Sequence, residues 1–201
     1  RSFHVTGVQT CALPIYAQVG KVLAALKKTG LEDDTIVIFT SDHGYHLGEH
    51  DFWAKVSLLD ESSQVPLIIR VPGKKPAVCH SLTELLDLYP TVSSLCGLPA
   101  QSRLQGKDIS KMLDDPRHTV RTAAFSVAPM RRGFLLRENE WAYIQYGENG
   151  AKGIELYNVK KDPHQYTSLA QHPVHQETVA RFKAQMSGKL RNIRNNDLSR
   201  N

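Results

Sequence analysis

The chain has 201 residues, of which 41% are hydrophobic and 7% aromatic. That is the make-up of an ordinary globular protein of one domain, or one domain with a small appendage. Net charge is +5, dense only at Lys74-Lys75, Arg131-Arg132 and Lys189 to Arg200, so it fits an anionic substrate and a solvated surface equally. Cys11, Cys79 and Cys96 offer neither a disulfide framework nor zinc spacing, and no apolar run approaches the roughly 18 residues of a membrane-spanning helix. No nucleic-acid or membrane partner is expected, and oligomeric state is left open.

Arg1 to Ile15 have no signal-peptide layout, lacking an uninterrupted apolar centre and a small-residue cleavage site. Val8-Gln9-Thr10-Cys11-Ala12-Leu13-Pro14-Ile15 resembles a translated adapter, so residues 1–16 are expected to be a foreign or artefactual leader. From Ala17, Val19, Val22, Leu23 and Leu26 recur at helical spacing and Gly30 ends the helix. Thr35-Ile36-Val37-Ile38-Phe39-Thr40 is a continuous apolar, β-branched run, expected to be a buried parallel strand. After a polar loop and the mixed segment Leu58 to Gln64, Val65 to Val71 reads as a second buried strand, with Pro66 near its start. Pro72-Gly73 turns the chain.

Ser81-Leu82-Thr83-Glu84 reads as a capping box opening a helix whose inner face is Leu82, Leu85, Leu86, Tyr89, Val92 and Leu95. Asp87 is expected on that helix's surface, as a cap or ion-pair partner. Leu98 to His118 is rich in Pro, Gly and charge, so a boundary is placed there, separating 17–118 from a small subdomain at 119–201. Thr122–Val127, Gly133–Arg137, Trp141–Tyr146 and Ile154–Tyr157 are four strand-like runs, the middle two joined by a Glu138-Asn139-Glu140 hairpin turn. Val179, Phe182 and Met186 mark an amphipathic closing helix after Pro173, with a polar, frayed end from Asn192.

The chemistry collects between Ser41 and Lys55. The ten residues from Asp42 to Asp51 hold two Asp, three His and one Glu, and Lys55 follows. In an open α/β sheet, ligand-binding residues gather where strands end at their carboxyl edge. Gly44 and Gly48 allow a sharp turn there. Carboxylate oxygens and a neutral imidazole suit a divalent cation, and a nearby lysine suits an anionic substrate. An ordinary solvated loop is the alternative.

Gly30-Leu31-Glu32-Asp33-Asp34-Thr35-Ile36-Val37, Ser41-Asp42-His43-Gly44, Leu47-Gly48-Glu49-His50, Trp53-Ala54-Lys55 and Val65-Pro66-Leu67-Ile68-Ile69, in this order and spacing, resemble the C-terminal part of the sulfatase catalytic domain, within the alkaline-phosphatase-like superfamily. The spacing from Ser41 to Lys55 is most similar to the iduronate-2-sulfatase branch. Glu84 to Thr91, Leu104 to Asp108 and Leu156-Tyr157-Asn158-Val159 with Asp162-Pro163 are similar to further family signatures, the last with Asn158 in place of Asp. The fold this implies is α/β: the C-terminal part of an alkaline-phosphatase-like α/β sandwich, then a small antiparallel four-stranded sheet with a C-terminal helix.

The resemblance implies a sulfuric ester hydrolase acting on a sulfated saccharide, in a periplasmic, secreted or lysosomal setting. It makes Asp42 and His43 half of a calcium site, Lys55 a sulfate-binding catalytic residue, and His46, Glu49 and His50 residues that line the substrate pocket, with holding the loop an alternative for Glu49 and His50. Phe52 and Trp53 are expected to pack beneath the loop. The family's formylglycine nucleophile arises in a Cys-x-Pro-Ser-Arg type motif, and Cys11, Cys79 and Cys96 all lack that pattern; they are expected to be small buried hydrophobes or inert thiols. Asp33-Asp34 resembles the family's paired aspartates only superficially, lying between helix and strand. Two alternatives stand beside the sulfatase reading: a phosphoesterase or phosphonate hydrolase of the same superfamily, and a catalytically inactive fragment.

Overall fold

A computed structural model describes residues 6–128 and 133–194, which fall into two units of the chain. One takes the residues up to Phe39 together with Leu67–Lys75; the other takes Thr40–Pro66 and the chain from Pro76 onward. Residues 1–5 of the expected leader, Arg131-Arg132 and the tail beyond 194 lie outside the described residues.

In the first unit, helix α1 runs from Thr6 to Lys28, beginning well before Ala17. Pro14 lies inside it, where the missing N–H removes one helical hydrogen bond. Val19 and Leu26 are half-buried while Val22 and Leu23 are exposed, so only one edge of the apolar stripe is covered. Gly30, at φ 73°, takes the left-handed turn that ends the helix. A 3-10 turn at Glu32–Asp34 leads to β1 (Val37–Thr40), which is hydrogen-bonded to β2 (Leu67–Arg70) in a two-stranded sheet. Arg70 fastens β2 to that turn, donating to the Glu32 carbonyl at 2.7 Å. The expectation of two buried strands is corrected: both are half-buried, with Phe39 and Ile68 exposed. A strand is buried throughout only where both faces of its sheet are covered.

In the second unit, the sequence-expected helix after residue 81 starts later. A 3-10 turn, Leu85–Asp87, runs straight into α3 (Leu88–Leu95), and the capping contact is Glu84 N–H donating to Asp87 Oδ2 at 2.8 Å. Its inner face is also different, since Leu85, Leu86 and Tyr89 are exposed while Asp87 and Thr91 are buried. Asp87 is an ion-pair partner as expected, but an interior one. It accepts from both terminal guanidinium nitrogens of Arg121, Nη2 at 2.6 Å, and from the Lys107 N–H at 2.8 Å. Burial alone would raise the Asp87 carboxyl, yet Arg121 and the N–H groups of Lys107 and Glu84 hold it below the ordinary aspartate value.

The four strands at the C-terminal end are β3 (Ala124–Val127), β4 (Gly133–Arg137), β5 (Trp141–Tyr146) and β6 (Ile154–Asn158). They form an antiparallel meander in chain order, with Leu136 opposite Tyr143 and Tyr143 opposite Leu156. Because side chains alternate across a strand, the sheet has two apolar faces. Phe134, Leu136, Tyr143 and Leu156 pack on Val179, Phe182, Met186 and Leu190 of α4 (Gln176–Arg194). Leu135, Ala142, Ile144 and Tyr157 pack on Leu58. Each fully buried large side chain contributes about 1.5–3 kcal/mol. Asn192 lies within α4. Cys79 and Cys96 are free and exposed, which corrects their expected burial. Among the described residues no helix is long and apolar enough to cross a membrane.

Candidate functional site

The loop after β1 is folded by its own backbone. Gly44 N–H donates to the Ser62 carbonyl at 2.9 Å, His46 N–H to Ala54 O at 2.9 Å, and Gly48 N–H to Phe52 O at 3.2 Å. The last two bonds bring the chain back on itself. Gly44 is obligatory, because a Cβ there would lie 1.9 Å from the Glu61 carbonyl oxygen. Gly48 sits at φ 115°, and its missing side chain leaves room for the Trp53 ring. His50 and Asp51 follow at φ 57° and 53°, a left-handed conformation that non-glycine residues adopt at a cost of order 1–3 kcal/mol.

Asp42 and His43 stand together at the start of this loop. The Asp42 carboxylate is 84% exposed and its Oδ2 lies 3.4 Å from His43 Nε2. His43 Nδ1 is 2.8 Å from the Gly44 carbonyl. A carbonyl only accepts, so Nδ1 carries a proton, and in the neutral ring Nε2 keeps its lone pair beside the carboxylate. Desolvation works to raise the Asp42 carboxyl, but His43, the nearby backbone N–H groups and Lys55 together hold it below the ordinary aspartate value. The charge of Lys55 is therefore felt at Asp42, thirteen residues earlier in the chain. Lys55 itself is exposed. Asp42 and His43 fit a divalent cation as two of its donors, and among the described residues no third His, Cys, Asp or Glu joins them.

The other residues singled out from the sequence sit behind this edge. His46 is fully buried, with its ring edge-on to His50 at 5.7 Å and to Phe52 at 5.2 Å. Glu49 turns back to accept the Leu47 N–H at 2.6 Å. That bond, with His46 and His50 nearby, lowers its carboxyl pKa. His50 packs on Tyr166 at 5.0 Å and its Nε2 lies 3.7 Å from Glu61 Oε1. All three therefore brace the loop in this structure. The packing expected beneath the loop is corrected for Trp53, which is 68% exposed, and for Phe52, which lies at the surface at 36%.

Sequence reading missed the platform under the loop, the short helix α2 (Asp60–Ser63). Arg137 Nη2 binds Asp60 at 2.9 Å, and Asp60 N–H donates to Gln165 Oε1 at 2.7 Å. No local signal marks these residues, since each partner is distant in sequence. An open groove of about 460 Å³ lined by Asp60, Glu61, Gln64, Val65 and Pro66 adjoins α2; Asp42, His43 and Lys55 do not line it.

Residues 15–98 match the sulfatase family model. Over that stretch the chain is of the sulfatase family. Arylsulfatase K of Danio rerio is 36% identical over 163 residues, covering 76% of this chain and 31% of that protein. Choline-sulfatase of Rhizobium meliloti (strain 1021) is 30% identical over 177 residues, covering 83% and 33%. The chain thus spans about a third of the length of the curated relatives it matches. Among solved structures, a 2-O GAG sulfatase superposes with TM-score 0.80 at 28% identity, covering 90% of this chain and 41% of its own. A phosphonate monoester hydrolase from Silicibacter pomeroyi gives TM-score 0.77 at 28% identity, covering 90% and 39%. The likeness to these structures bears out the α/β architecture with its four-stranded antiparallel sheet and closing helix.

Proposed function

We propose that this chain supplies the cation- and sulfate-binding edge of a sulfuric ester hydrolase acting on a sulfated saccharide, with iduronate-2-sulfatase-like preference for a 2-O-sulfate. The observation that carries the reading is the loop whose two ends, Gly44 beside His43 and Lys55, are both hydrogen-bonded to Ser62, in a chain whose residues 15–98 match the sulfatase family. The structural likeness to a 2-O GAG sulfatase supports the saccharide class. A periplasmic, secreted or lysosomal setting accords with it.

In this reading Asp42 and His43 would hold a calcium ion, with oxygen-rich donors from elsewhere completing the roughly six to eight that calcium takes. Bound there, calcium would supply positive charge to the sulfate oxygens. Lys55 places an ammonium at the same sulfate, orienting the group and stabilising negative charge as the ester bond breaks. His46, Glu49 and His50 keep the loop in the shape that lets both ends meet one anion. The nucleophile is contributed by a Cys-x-Pro-Ser-Arg type segment, a pattern that none of Cys11, Cys79 and Cys96 carries. The 201 residues by themselves are therefore expected to be inactive. The second reading, a phosphonate monoester hydrolase, has its support in the Silicibacter pomeroyi structure, since phosphonate and sulfate esters share a tetrahedral anionic centre.

The test joins this chain to the family's N-terminal catalytic segment and measures release of sulfate from a 2-O-sulfated disaccharide against hydrolysis of a phosphonate monoester. Lys55→Ala should lower kcat/KM for the sulfated sugar by roughly 10²–10³-fold without lowering Tm. Lys55→Arg should recover part, because a planar fork does not sit where a point charge did. A Lys55→Ala enzyme within twofold of the parent would remove Lys55 from the sulfate site. Faster turnover of the phosphonate ester would favour the second reading.

A further inference from the structure

Ser62 touches both ends of the site loop. Its carbonyl accepts the N–H of Gly44, next to Asp42 and His43, at 2.9 Å. Its hydroxyl donates to the carbonyl of Lys55 at 2.8 Å. The side chain has almost no access to water, the residue being 4% exposed, so these bonds are shielded from competing solvent. Ser62 is itself fixed, because Asp60, two residues earlier in α2, is bound to Arg137 of β4 and to Gln165. Its immediate neighbour, Glu61, has its carbonyl pressed against Gly44 and its carboxylate facing His50. No other described side chain is bonded to the Lys55 carbonyl while its own main chain binds the turn after His43.

We propose that Ser62 is a positioning residue that sets the separation between the Asp42–His43 pair and Lys55, so that the rigid C-terminal sheet, through α2, fixes the geometry in which one tetrahedral anion meets both. The inference rests on the reading of Lys55 as a sulfate ligand. It makes the hydroxyl of Ser62, which touches no substrate, a determinant of anion affinity. Ser62→Ala deletes that hydroxyl and keeps the carbonyl bond to Gly44, so the Lys55 end of the loop is released while the Asp42 end stays.

The experiment uses this chain joined to the family's N-terminal catalytic segment, with calcium present, and two readouts. Amide hydrogen exchange reports the loop through His46 N–H, bonded to Ala54 O, and Ser57 N–H, bonded to Lys55 O. Binding of inorganic sulfate is followed through ¹³C-methyl groups placed on the lysines, with Lys55→Gln assigning the Lys55 signal. In Ser62→Ala, exchange at His46 and Ser57 should speed up about tenfold, with β4 and β5 amides within twofold of the parent. Its sulfate dissociation constant should rise about three- to tenfold. Ser62→Thr and Ser62→Cys keep a donor at this position, and at least one should restore both values. Unchanged exchange in Ser62→Ala overturns the tether, and faster exchange with unchanged sulfate affinity overturns the positioning role. If the parent chain shows no sulfate-dependent shift at Lys55 while exchange responds as expected, the sulfate reading of Lys55 fails and the positioning claim falls with it, leaving Ser62 a loop tether only.

Discussion

Strands β4 and β5 carry every side chain from Gly133 to Leu136 and from Ala142 to Gln145 away from water, whereas the loop from Asp42 to Lys55 exposes Asp42, Tyr45, Leu47, Trp53 and Lys55. The sheet is held by apolar area on both faces. The loop is held by backbone hydrogen bonds and by α2 beneath it, against the cost of two left-handed residues at His50 and Asp51. Apolar burial is tolerant of small shifts in position, but a hydrogen-bonded loop with a glycine pressed on a carbonyl has one geometry. The sheet thus supplies free energy and the loop spends part of it on placement.

The largest effect should come from the sheet side. Phe182 is fully buried and its ring stacks on Tyr143 with centroids 5.3 Å apart. Phe182→Ala should cost about 3–5 kcal/mol in urea unfolding, read through Trp141 in a Trp53→Phe background. A loss under 1 kcal/mol would mean that the helix α4 interface is not where stability resides.

Next comes the buried ion-pair cluster at the start of α3, in which Arg121 faces both Asp87 and Glu84. Asp87 is fully buried against Arg121, and Arg121→Met should cost about 3–5 kcal/mol at neutral pH by leaving that carboxylate unpaired. The folded-state carboxyl is held below its unfolded value, so its contribution is complete above the unfolded pKa of about 3.9 and is lost as pH falls through the lower folded value. The stability gap between parent and Arg121→Met should therefore narrow between pH 5 and pH 2. A gap independent of pH would show that Asp87 does not carry the charge.

The smallest effect sharpens the contrast from the loop side. Trp53, 68% exposed, should tolerate Trp53→Ala within about 0.5 kcal/mol of global stability. A cost near that of Phe182→Ala would erase the distinction between the two regions.

The sheet and α4 were legible because their signal is local. Short apolar runs at Gly133–Arg137 and Trp141–Tyr146 mark strands, and the helical spacing of Val179, Phe182 and Met186 marks a buried helix face, without reference to any partner. The roles proposed for Asp42, His43 and Lys55 rest on residue types in order. What was not legible depends on distant chain. Asp87 reads as a surface carboxylate until Lys107 and Arg121 are brought to it. His46 reads as a pocket residue until Ala54 and His50 enclose it. Leu85, Leu86 and Tyr89 have the periodicity of a core face, but periodicity gives a face and not its direction. Ser62 carries no motif, and only the fold sets it between Gly44 and Lys55.

The meander order of the C-terminal sheet also fixes a sequence of events in time. Every strand there pairs with its neighbour in the chain, so its contacts close short loops and can form early. The bonds that seat α2 span 77 residues from Asp60 to Arg137 and 105 from Asp60 to Gln165, and closing such loops is slower. Their acceptor and donor groups exist in the right place only once β4 and the turn after β6 have formed. The loop from Asp42 to Lys55 is thus expected to acquire its shape after the sheet during folding and, on warming, to lose it while the sheet is still intact.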